Sequence, residues 1–307
     1  MRLLITGGAG CLGSNLTEYY FAQGHQICVI DNFSTGKREV VPEQERLRVV
    51  EGTIADEKLV NQTFQEFRPT HVIHSAAAYK NPDDWEEDTI TNVLGAIYVA
   101  KAAKSSGVKR FINFQTALCY GRPTELPIPV THPTMPFTSY GISKTAGEAY
   151  LLQSGLPLVS LRLANICAPR LSIGPIPTFY KRLKAGQNCF CSDTVRDFLD
   201  ISDFFRLMDM VLDQNGATGV FNVSTGEGKS ILEVFHLVCN YLNIPAPEVP
   251  IVPPGQDDVV KVVLNPDDSE RAFGWKAQID FEQTIFNQLR WYDEHGVSDV
   301  FSHLKAR

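Results

Sequence analysis

Short apolar runs rich in β-branched residues alternate with longer, helix-like stretches through the first half of the chain. The runs with the character of strands are residues 3–6, 27–30, 48–51, 71–74, 110–115 and 158–163. Strands separated by helices favour right-handed crossovers, which build a parallel sheet with helices on both faces. The pattern therefore predicts a doubly wound α/β fold.

The pattern becomes irregular after the last of these strands, where several prolines interrupt it. Helical patterns return at residues 178–185, 231–242 and 281–295, and residues 220–223 have the character of one more strand. We expect two domains on this basis. The larger one comprises residues 1–165 and is rejoined by residues 188–223, whereas residues 166–187 and 224–307 form a smaller C-terminal α/β domain for the substrate.

A loop with glycines at positions 7, 8, 10 and 13 follows the first predicted strand directly and opens an apolar helix. Gly7 permits a tight turn from strand to helix, Gly10 lets the backbone approach a pyrophosphate, and Gly13 lets the helix pack close to the sheet. The N-terminus of that helix then faces the phosphates. A glycine triplet alone is weak evidence, but this strand–turn–helix context predicts a dinucleotide-binding loop.

Asp31 closes the second predicted strand. At this position a carboxylate accepts hydrogen bonds from the ribose hydroxyls of NAD and repels the extra phosphate of NADP, so the sequence predicts NAD as the cofactor. The polar residues that follow suit a loop around the adenosine end, although an ordinary surface turn has the same composition. They are Asn32, Ser34, Thr35 and Gly36.

Tyr140 and Lys144 lie four residues apart in a helix-like segment, so they share one helical face. A phenol with a reference pKa near 10 is a poor base at neutral pH. A neighbouring ammonium, reinforced by a positive nicotinamide ring, favours the phenolate and lowers that pKa. The pair therefore predicts an acid/base for a substrate hydroxyl at Tyr140.

The spacing alone is ambiguous because Tyr180 and Lys184 repeat it. A predicted strand of the cofactor-binding sheet ends in Thr116 ahead of Tyr140, and its hydroxyl can bond the same substrate oxygen. No comparable strand precedes Tyr180. We therefore expect Thr116, Tyr140 and Lys144 to be catalytic, and Tyr180 with Lys184 to be a pair on a helix surface.

The residues after Thr116 also suggest a continuing strand. In an extended chain side chains alternate between faces, so Thr116, Leu118 and Tyr120 would point to one side. Ala117 and Cys119 would point to the other side, which makes Cys119 a core thiol.

The charge and cysteine content narrow the function further. The net charge is −7 and no long cluster of lysine and arginine occurs, which argues against a nucleic-acid partner. We expect no signal peptide, no membrane span and, given seven cysteines in apolar segments, a cytoplasmic location with free thiols. Cys189 and Cys191 stand too close for a usual Cys-x-x-Cys pair and no histidine is near, so no metal site is expected.

Together these motifs resemble the extended short-chain dehydrogenase/reductases over nearly the whole chain. The match rests on the glycine loop, Asp31, His74-Ser75-Ala76-Ala77, Asn92, Thr116, Tyr140-x-x-x-Lys144 and Arg162-x-x-Asn165. Within that group the chain is most similar to the UDP-glucose 4-epimerase branch, particularly to nucleotide-sugar epimerases of bacterial surface-polysaccharide (O-antigen) biosynthesis. The resemblance implies an NAD-binding Rossmann domain and a nucleotide-sugar domain.

The resemblance implies a mechanism as well. Tyr140 deprotonates the sugar 4-hydroxyl while Thr116 orients it, and the C4 hydride passes to tightly bound NAD. The 4-keto sugar turns over and receives the hydride on its other face, which inverts C4 without net redox change. Lys144 also bonds the nicotinamide ribose, and Asn92 supports the active-site backbone or a water.

The resemblance further implies contacts for each ligand. Those to NAD fall on Gly7, Gly10, Cys11, Leu12, Gly13, Asp31, Asn32, Ser34, Thr35, Gly36, Ile54, Ala76, Asn92 and Lys144. Substrate contacts fall on Thr116, on the amide of Asn165 and on Arg196, whose Arg-Asp-Phe segment reaches the diphosphate, by resemblance that of UDP. A homodimer is implied, with helices near residues 92–105 and 140–153 at its interface.

The substrate end departs from the family pattern. Thr53-Ile54 replaces the usual Asp-Ile at the adenine, residues 192–195 replace a glycine-rich approach to Arg196, and Ala168 replaces a common glycine. Residues 253–258 lack the arginine that relatives place against the phosphates. Either Lys181 or Arg182 compensates, or phosphate binding differs.

Other functions of the same fold compete with epimerisation. Dehydratases and decarboxylases need a further acid/base just after the threonine, where this chain has Ala117 and Leu118, neither of which can move a proton. A net NAD-dependent nucleotide-sugar dehydrogenase or reductase needs only the same three catalytic residues, and stays an alternative. An NAD-sensing regulatory protein is disfavoured because such proteins tend to lose the tyrosine or lysine.

The sugar itself stays open among neutral hexose, N-acetylhexosamine and uronate. Lys80 can meet a substrate carboxylate, but a lysine in a solvated loop is the ordinary alternative.

Overall fold

The computed structural model describes residues 1–79, 81–213, 215–255 and 258–300. The strands are β1 Arg2–Thr6, β2 Gln26–Asp31, β3 Leu47–Glu51, β4 His71–His74, β5 Arg110–Thr116, β6 Leu158–Leu163, β7 Asn165–Cys167, β8 Cys191–Ser192, β9 Val195–Arg196, β10 Phe198–Asp200, β11 Gly219–Val223, β12 Lys229–Ser230, β13 Ile251–Val252 and β14 Lys261–Val262. The α-helices are α1 Cys11–Ala22, α2 Glu57–Phe67, α3 Trp85–Thr89, α4 Ala96–Ser105, α5 Ser139–Gln153, α6 Pro175–Lys184, α7 Ile201–Val211, α8 Ile231–Tyr241, α9 Asp267–Phe273 and α10 Phe281–His295. A π-helix, Ile90–Gly95, joins α3 to α4, and short 3-10 turns occur at Arg38–Val40 and Ala117–Tyr120.

A seven-stranded parallel sheet in the order β11-β6-β5-β4-β1-β2-β3 forms the centre of the fold. Its central strands are buried on both faces. In β1, Leu3 and Ile5 belong to one hydrophobic cluster and Leu4 to the other, as the two-residue period of a strand requires. Helices α1 and α7 contribute to the first cluster and α2 and α4 to the second. The predicted doubly wound α/β fold is confirmed.

A third cluster lies in the C-terminal part of the chain, where α6, α8 and α10 pack together. Ile285, Leu289 and Tyr292 on α10 are buried in it. The neighbouring strands form small sheets, which pair β7 with β10, β8 with β13, and β9 with β12 and β14. These short pairings bring the segments after residue 188 to the carboxyl end of the main sheet, because β7 follows directly on β6.

The predicted continuation of the strand beyond Thr116 is wrong. Residues Ala117–Tyr120 form a 3-10 turn instead, and the Thr116 hydroxyl oxygen caps it by accepting a hydrogen bond from the backbone N–H of Leu118 at 3.1 Å. A threonine cap of this kind competes with strand pairing, which explains the failure of the alternation. Ala117, Cys119 and Tyr120 are all buried, so Cys119 is a core thiol as expected.

The seven cysteines are all free. Within the described ranges no cluster of histidine, cysteine, aspartate and glutamate is arranged to hold a metal ion. No helix among the same residues is long and apolar enough to cross a membrane.

Candidate active site

The glycine loop lies between β1 and α1 at the carboxyl end of the sheet. Gly7 has a φ of +67°, a left-handed conformation that side chains disfavour. A Cβ there would lie 2.7 Å from the Cα of Ala76, so the loop also approaches the backbone that follows β4 too closely for any side chain. Ala76 thus lies against the loop, where the predicted cofactor site requires it.

The start of α1 is suited to bind an anion. A Cβ on Gly13 would lie 2.1 Å from the carbonyl oxygen of Gly7, so Gly13 lets the helix pack on its own loop rather than on the sheet. Gly10 precedes the helix and supplies no side-chain cap. The first-turn N–H groups of Cys11, Leu12 and Gly13 are therefore not capped by that residue, and a pyrophosphate is the ligand that such amides and the helix dipole favour.

Asp31 ends β2 beside this loop and is buried. Its two carboxylate oxygens accept hydrogen bonds at 2.8 Å from the backbone N–H groups of Ala9 and Phe33. Each oxygen keeps acceptor capacity for a ribose hydroxyl. Gly36 lies directly on Ala9, since a Cβ on it would come within 2.6 Å of the Ala9 backbone. The adenosine loop of residues 32–36 is therefore fixed against the glycine loop.

The π-helix that carries Asn92 lies on the face of the sheet opposite to α1, and Ile54 packs against the end of that helix. The Asn92 amide accepts a hydrogen bond from the N–H of Ala78 and donates one to its C=O, both at 2.9 Å, and also donates to the Ser143 hydroxyl at 3.0 Å. Asn92 therefore supports the backbone after β4, as the resemblance implies. Ile54 is buried against Gly95 at the end of the π-helix.

Helix α5 brings the predicted catalytic residues to the end of β5. Thr138 caps it by accepting a hydrogen bond from the N–H of Gly141 at 3.1 Å, which places Tyr140 in the first turn. One turn later the Lys144 ammonium, only 6% exposed, donates to the carbonyl oxygen of Phe114 at 2.7 Å. Thr116 ends the same strand. Because its oxygen only accepts the cap, its O–H remains available to donate to a substrate oxygen.

Burial dominates the electrostatics of this pair. It raises the pKa of Tyr140 above the usual value of a phenol, and the nearby Tyr79 and Asp88 add to that effect. Burial also lowers the pKa of Lys144 to about 8, against the opposing charge of Glu148. Among the protein's own groups, burial thus acts on the Tyr140 pKa in the direction opposite to the lowering expected from a neighbouring ammonium and a nicotinamide ring.

A buried ion pair lies one turn beyond Lys144. Arg162 on β6 donates to the Glu148 carboxylate at 2.8 Å, and the Ser160 hydroxyl donates to it at 2.6 Å. The Arg162 guanidinium also lies 4.9 Å from the centre of the Tyr120 ring. This network joins α5 to β6 and to the turn after Thr116, so it fixes the relative position of the catalytic residues.

Two neighbours of Tyr140 were not identified from sequence. The Tyr79 ring contacts the Tyr140 ring edge-on, with centroids 6.2 Å apart, and the Ser139 hydroxyl donates to the buried Asp88 carboxylate at 2.6 Å. The acidic residues before Asn92 are spaced as at the start of an ordinary solvent-exposed helix, so nothing in the sequence distinguished Asp88 as a neighbour of Tyr140. The alanine-rich segment that ends in Tyr79 gave no sign that this aromatic side chain lies beside Tyr140.

The predicted substrate residue Asn165 lies on β7, which pairs with β10, and the predicted substrate residue Arg196 ends β9, just before β10. The Asn165 side-chain amide donates to the carbonyl oxygen of Asp197 at 3.1 Å. Arg196 pairs at 2.5 Å with Asp258, which belongs to the segment without the family arginine. Gln256 and Asp257 of that segment, and Lys80, lie outside the described residues.

Lys181 and Arg182, the two candidates for replacing the missing phosphate-binding arginine, differ in their hydrogen bonds and exposure. The Arg182 guanidinium donates to the Asn188 carbonyl oxygen at 2.7 Å, whereas Lys181 is exposed on α6.

The Tyr180-Lys184 pair lies outside this site, beside the hydrophobic cluster of the C-terminal part of the chain. Tyr180 is buried between α6 and α10, and its hydroxyl donates to Asp293 at 2.6 Å. Lys184 bonds both groups at 3.0 Å. The pair is therefore a structural contact, although it faces a helix rather than an open surface.

The glycine loop fits NAD, because Gly7 and Gly13 allow the close packing of the loop that sets the first turn of α1 beside Asp31, and the Asp31 carboxylate keeps acceptor capacity for a ribose hydroxyl. The model of the NAD dependent epimerase/dehydratase family matches residues 3–224. The solved structure of the Bordetella bronchiseptica enzyme WbmG in complex with NAD and UDP is 65% identical, has a TM-score of 0.94, and is matched over 99% of this chain and 97% of that one.

Two further matches are more distant. The structure of the Thermotoga maritima UDP-glucose 4-epimerase with UDP-glucose is 28% identical, with a TM-score of 0.88 over 96% of this chain and 99% of that one. The Corynebacterium glutamicum UDP-glucose 4-epimerase is 29% identical over 93% of each chain. These findings confirm the predicted resemblance, the enzyme class of NAD-dependent epimerases, and NAD as the cofactor.

Proposed function

Because the chain belongs to the NAD dependent epimerase/dehydratase family, we propose that it inverts carbon 4 of a UDP-linked sugar with tightly bound NAD. One observation carries the proposal. Lys144, one turn after Tyr140 on α5, bonds the Phe114 carbonyl oxygen of β5, the strand that ends at Thr116, and the two positions that follow are Ala117 and Leu118. The site therefore has one acid/base and no second proton donor at the position where dehydration or decarboxylation needs one.

In the proposed reaction Tyr140 takes the proton of the sugar 4-hydroxyl, while the Thr116 O–H donates to the same oxygen. Lys144 stabilises the phenolate by its positive charge, which offsets the desolvation that raises the Tyr140 pKa. NAD supplies the acceptor and then the donor of the C4 hydride. Once the 4-keto sugar has turned over, the hydride returns to the opposite face of C4, which inverts the centre, and Tyr140 returns the proton to the C4 oxygen.

We assign the nucleotide end of the substrate to Asn165 and Arg196. Arg196 is a partly buried cation whose only partner carboxylate among the described residues is Asp258, and that pair holds its guanidinium in place. Its planar group suits a diphosphate. The WbmG complex contains UDP, which supports that nucleotide. On this proposal residues 1–165 and 188–223 hold the cofactor, and residues 166–187 and 224–307 complete the substrate side.

The decisive experiment incubates the purified protein with UDP-hexoses, UDP-N-acetylhexosamines and UDP-uronates without added cofactor, and follows the products by NMR. We expect inversion at C4 with one of them. An unsaturated, deoxy or decarboxylated product would refute the proposal, and turnover that requires added NAD would favour the net dehydrogenase. Tyr140→Phe should keep bound NAD and lose turnover, because only the proton transfer is removed.

The exposed faces of the helices around Asn92 and Tyr140 support the predicted homodimer. Ile90, Leu94, Ile142 and Tyr150 are exposed apolar side chains on the π-helix and on α5. Apolar groups on adjacent exposed helices are typical of a subunit interface. Light scattering should give twice the chain mass for the wild type, and an Ile142→Asp/Leu94→Asp variant should be monomeric; a monomeric wild type would overturn this assignment.

A further inference from the structure

Gln115 is the next-to-last residue of β5, and it is only 2% exposed. A buried amide costs free energy unless its oxygen and its nitrogen are hydrogen-bonded. The Gln115 Nε2 donates to the backbone carbonyl oxygen of Lys144 at 3.0 Å, and its Oε1 accepts from the backbone N–H of Thr116 at 2.8 Å. One buried amide therefore bonds two of the three proposed catalytic residues.

Side chains bond the backbone of β5 beyond the end of β4. The pairing of β4 with β5 reaches only to Asn113, so the last residues of β5 extend past that neighbour. There the Phe114 carbonyl oxygen accepts from the Lys144 ammonium at 2.7 Å. The Thr116 N–H donates to the Gln115 side chain. Backbone groups two residues apart point to the same edge of a strand, so both bonds hold the same edge of β5.

Lys144 is thereby attached to β5 at both of its ends, by the ammonium and by the backbone carbonyl oxygen. An ammonium has three N–H donors, and Phe114 is its only partner among the described groups, so donors stay available for a ligand. The two attachments leave the lysine little freedom to move relative to Thr116. Because Tyr140 lies one turn earlier on α5, the same bonds also set the position of Tyr140.

We propose that Gln115 is a positioning residue, whose amide fixes Lys144 relative to Thr116. It thereby aligns the lysine with the nicotinamide ribose and the threonine hydroxyl with the sugar oxygen. The proposal rests on the proposed function, which gives those two residues their ligands. On this proposal Gln115 contacts neither ligand and transfers no proton. A displacement of about 1 Å in such a site can lower a rate about a hundredfold, so the placement matters for turnover.

The test compares Gln115→Met with the wild type. Methionine keeps the length of glutamine and removes both hydrogen bonds, so the variant should fold, which thermal melting checks. If it does not fold, Gln115→Asn replaces it, because that amide is one methylene too short to reach both partners. NAD release is measured on the purified holoenzyme without sugar, by dilution into an enzymatic assay that consumes free NAD. Either variant should release NAD about fivefold faster, since the lysine is no longer fixed against the ribose.

A double variant separates positioning from a general loss of stability. Lys144→Met removes the group on which Gln115 is proposed to act, so adding Gln115→Met should not speed release further, whereas a merely structural effect would multiply. Asn287→Leu is the matched control. Asn287 on α10 is also an amide with two partners, since it donates to Asp200 at 2.9 Å and accepts from Gln283 at 2.6 Å, and this variant should release NAD at the wild-type rate. Unchanged release in Gln115→Met, or multiplied effects in the double variant, would overturn the proposal.

Turnover gives a second measurement. With the UDP-sugar that is epimerised, Gln115→Met should lower kcat about tenfold and leave KM within about twofold, because the nucleotide contacts proposed at Asn165 and Arg196 are unchanged. A raised KM with the wild-type kcat would overturn the positioning role. Because release is measured without sugar, a wild type that epimerises no UDP-sugar refutes the proposed function, and NAD release still decides the role of Gln115.

Discussion

Tyr140-Lys144 and Tyr180-Lys184 have the same spacing on helices of the same chain, yet their surroundings differ in three respects. Lys144 is almost fully buried and its ammonium bonds only the Phe114 carbonyl oxygen among the described groups, whereas the Lys184 side chain is 51% exposed and pairs with Asp293. Burial lowers the pKa of Lys144, whereas hydrogen bonds to Tyr180 and Asp293 raise the pKa of Lys184. The Tyr180 hydroxyl is already committed to Asp293.

The difference bears on the proposed role of Tyr140 as an acid/base. A carboxylate beside the pair neutralises the ammonium and takes the hydrogen bond of the phenol, which leaves nothing for a substrate. At Lys144 the nearest carboxylate, Glu148, is already bonded to Arg162 and Ser160. Among the described residues, no carboxylate therefore pairs with the Lys144 ammonium, which donates to the Phe114 carbonyl oxygen.

The largest expected effect separates the two lysines directly. Lys144→Met removes the charge that supports the Tyr140 phenolate, so kcat should fall at least about a hundredfold. Lys184→Met removes an ammonium at equal spacing from its tyrosine and should leave kcat within about twofold. Steady-state epimerisation kinetics of both variants check this. Equal losses in the two variants would mean that the spacing, and not the surroundings, determines function.

The pH dependence of kcat should also report the charge of Lys144, with a smaller change in kcat than the substitution gives. Lys144 is charged below its pKa of about 8 and neutral above it, so kcat should fall as the pH rises through about 8. The effect of pH on stability has the opposite sign, because the free energy of unfolding rises where kcat falls. The unfolded chain keeps this proton up to a pKa near 10.4, so the shift favours the folded state as the pH rises through that window. A loss of turnover between pH 8 and 10 without unfolding, monitored by circular dichroism, supports Lys144; a flat profile contradicts it.

The main sheet and the catalytic pair could be predicted because each leaves a local pattern in the sequence. Buried parallel strands are continuous apolar runs, so β4 and β6 have the bounds predicted, and β1 and β5 differ by one residue. The proposed roles of Gly7, Asp31 and Tyr140 could be inferred from the residues close to each of them in the sequence. The structure places all of them at one edge of the sheet, as the strand order requires.

The missed features depend on contacts between segments far apart in the chain. The edge-on contact of Tyr79 with Tyr140 and the pairing of Asp88 with Ser139 exist only once α5 packs beside the segments after β4. The turn after Thr116 was misread because a cap by one hydroxyl overrides the alternation of its neighbours. The direction of the Tyr140 pKa shift depends on the degree of burial, which cannot be read from the spacing of Tyr140 and Lys144 in the sequence.

The smallest expected effect tests whether the second pair is only structural. Asp293 accepts hydrogen bonds from the hydroxyls of Tyr180 and Tyr241 and from Lys184, and so ties α6 and α8 to α10. The Asp293 side chain is 42% exposed, and water competes for these bonds, so Asp293→Ala should lower the free energy of unfolding by only about 1 kcal/mol. Urea denaturation measures that loss, and kcat should stay at the wild-type value. A drop in kcat with an unchanged unfolding midpoint would show instead that the Tyr180 pair acts in turnover, and the contrast between the two pairs would fail.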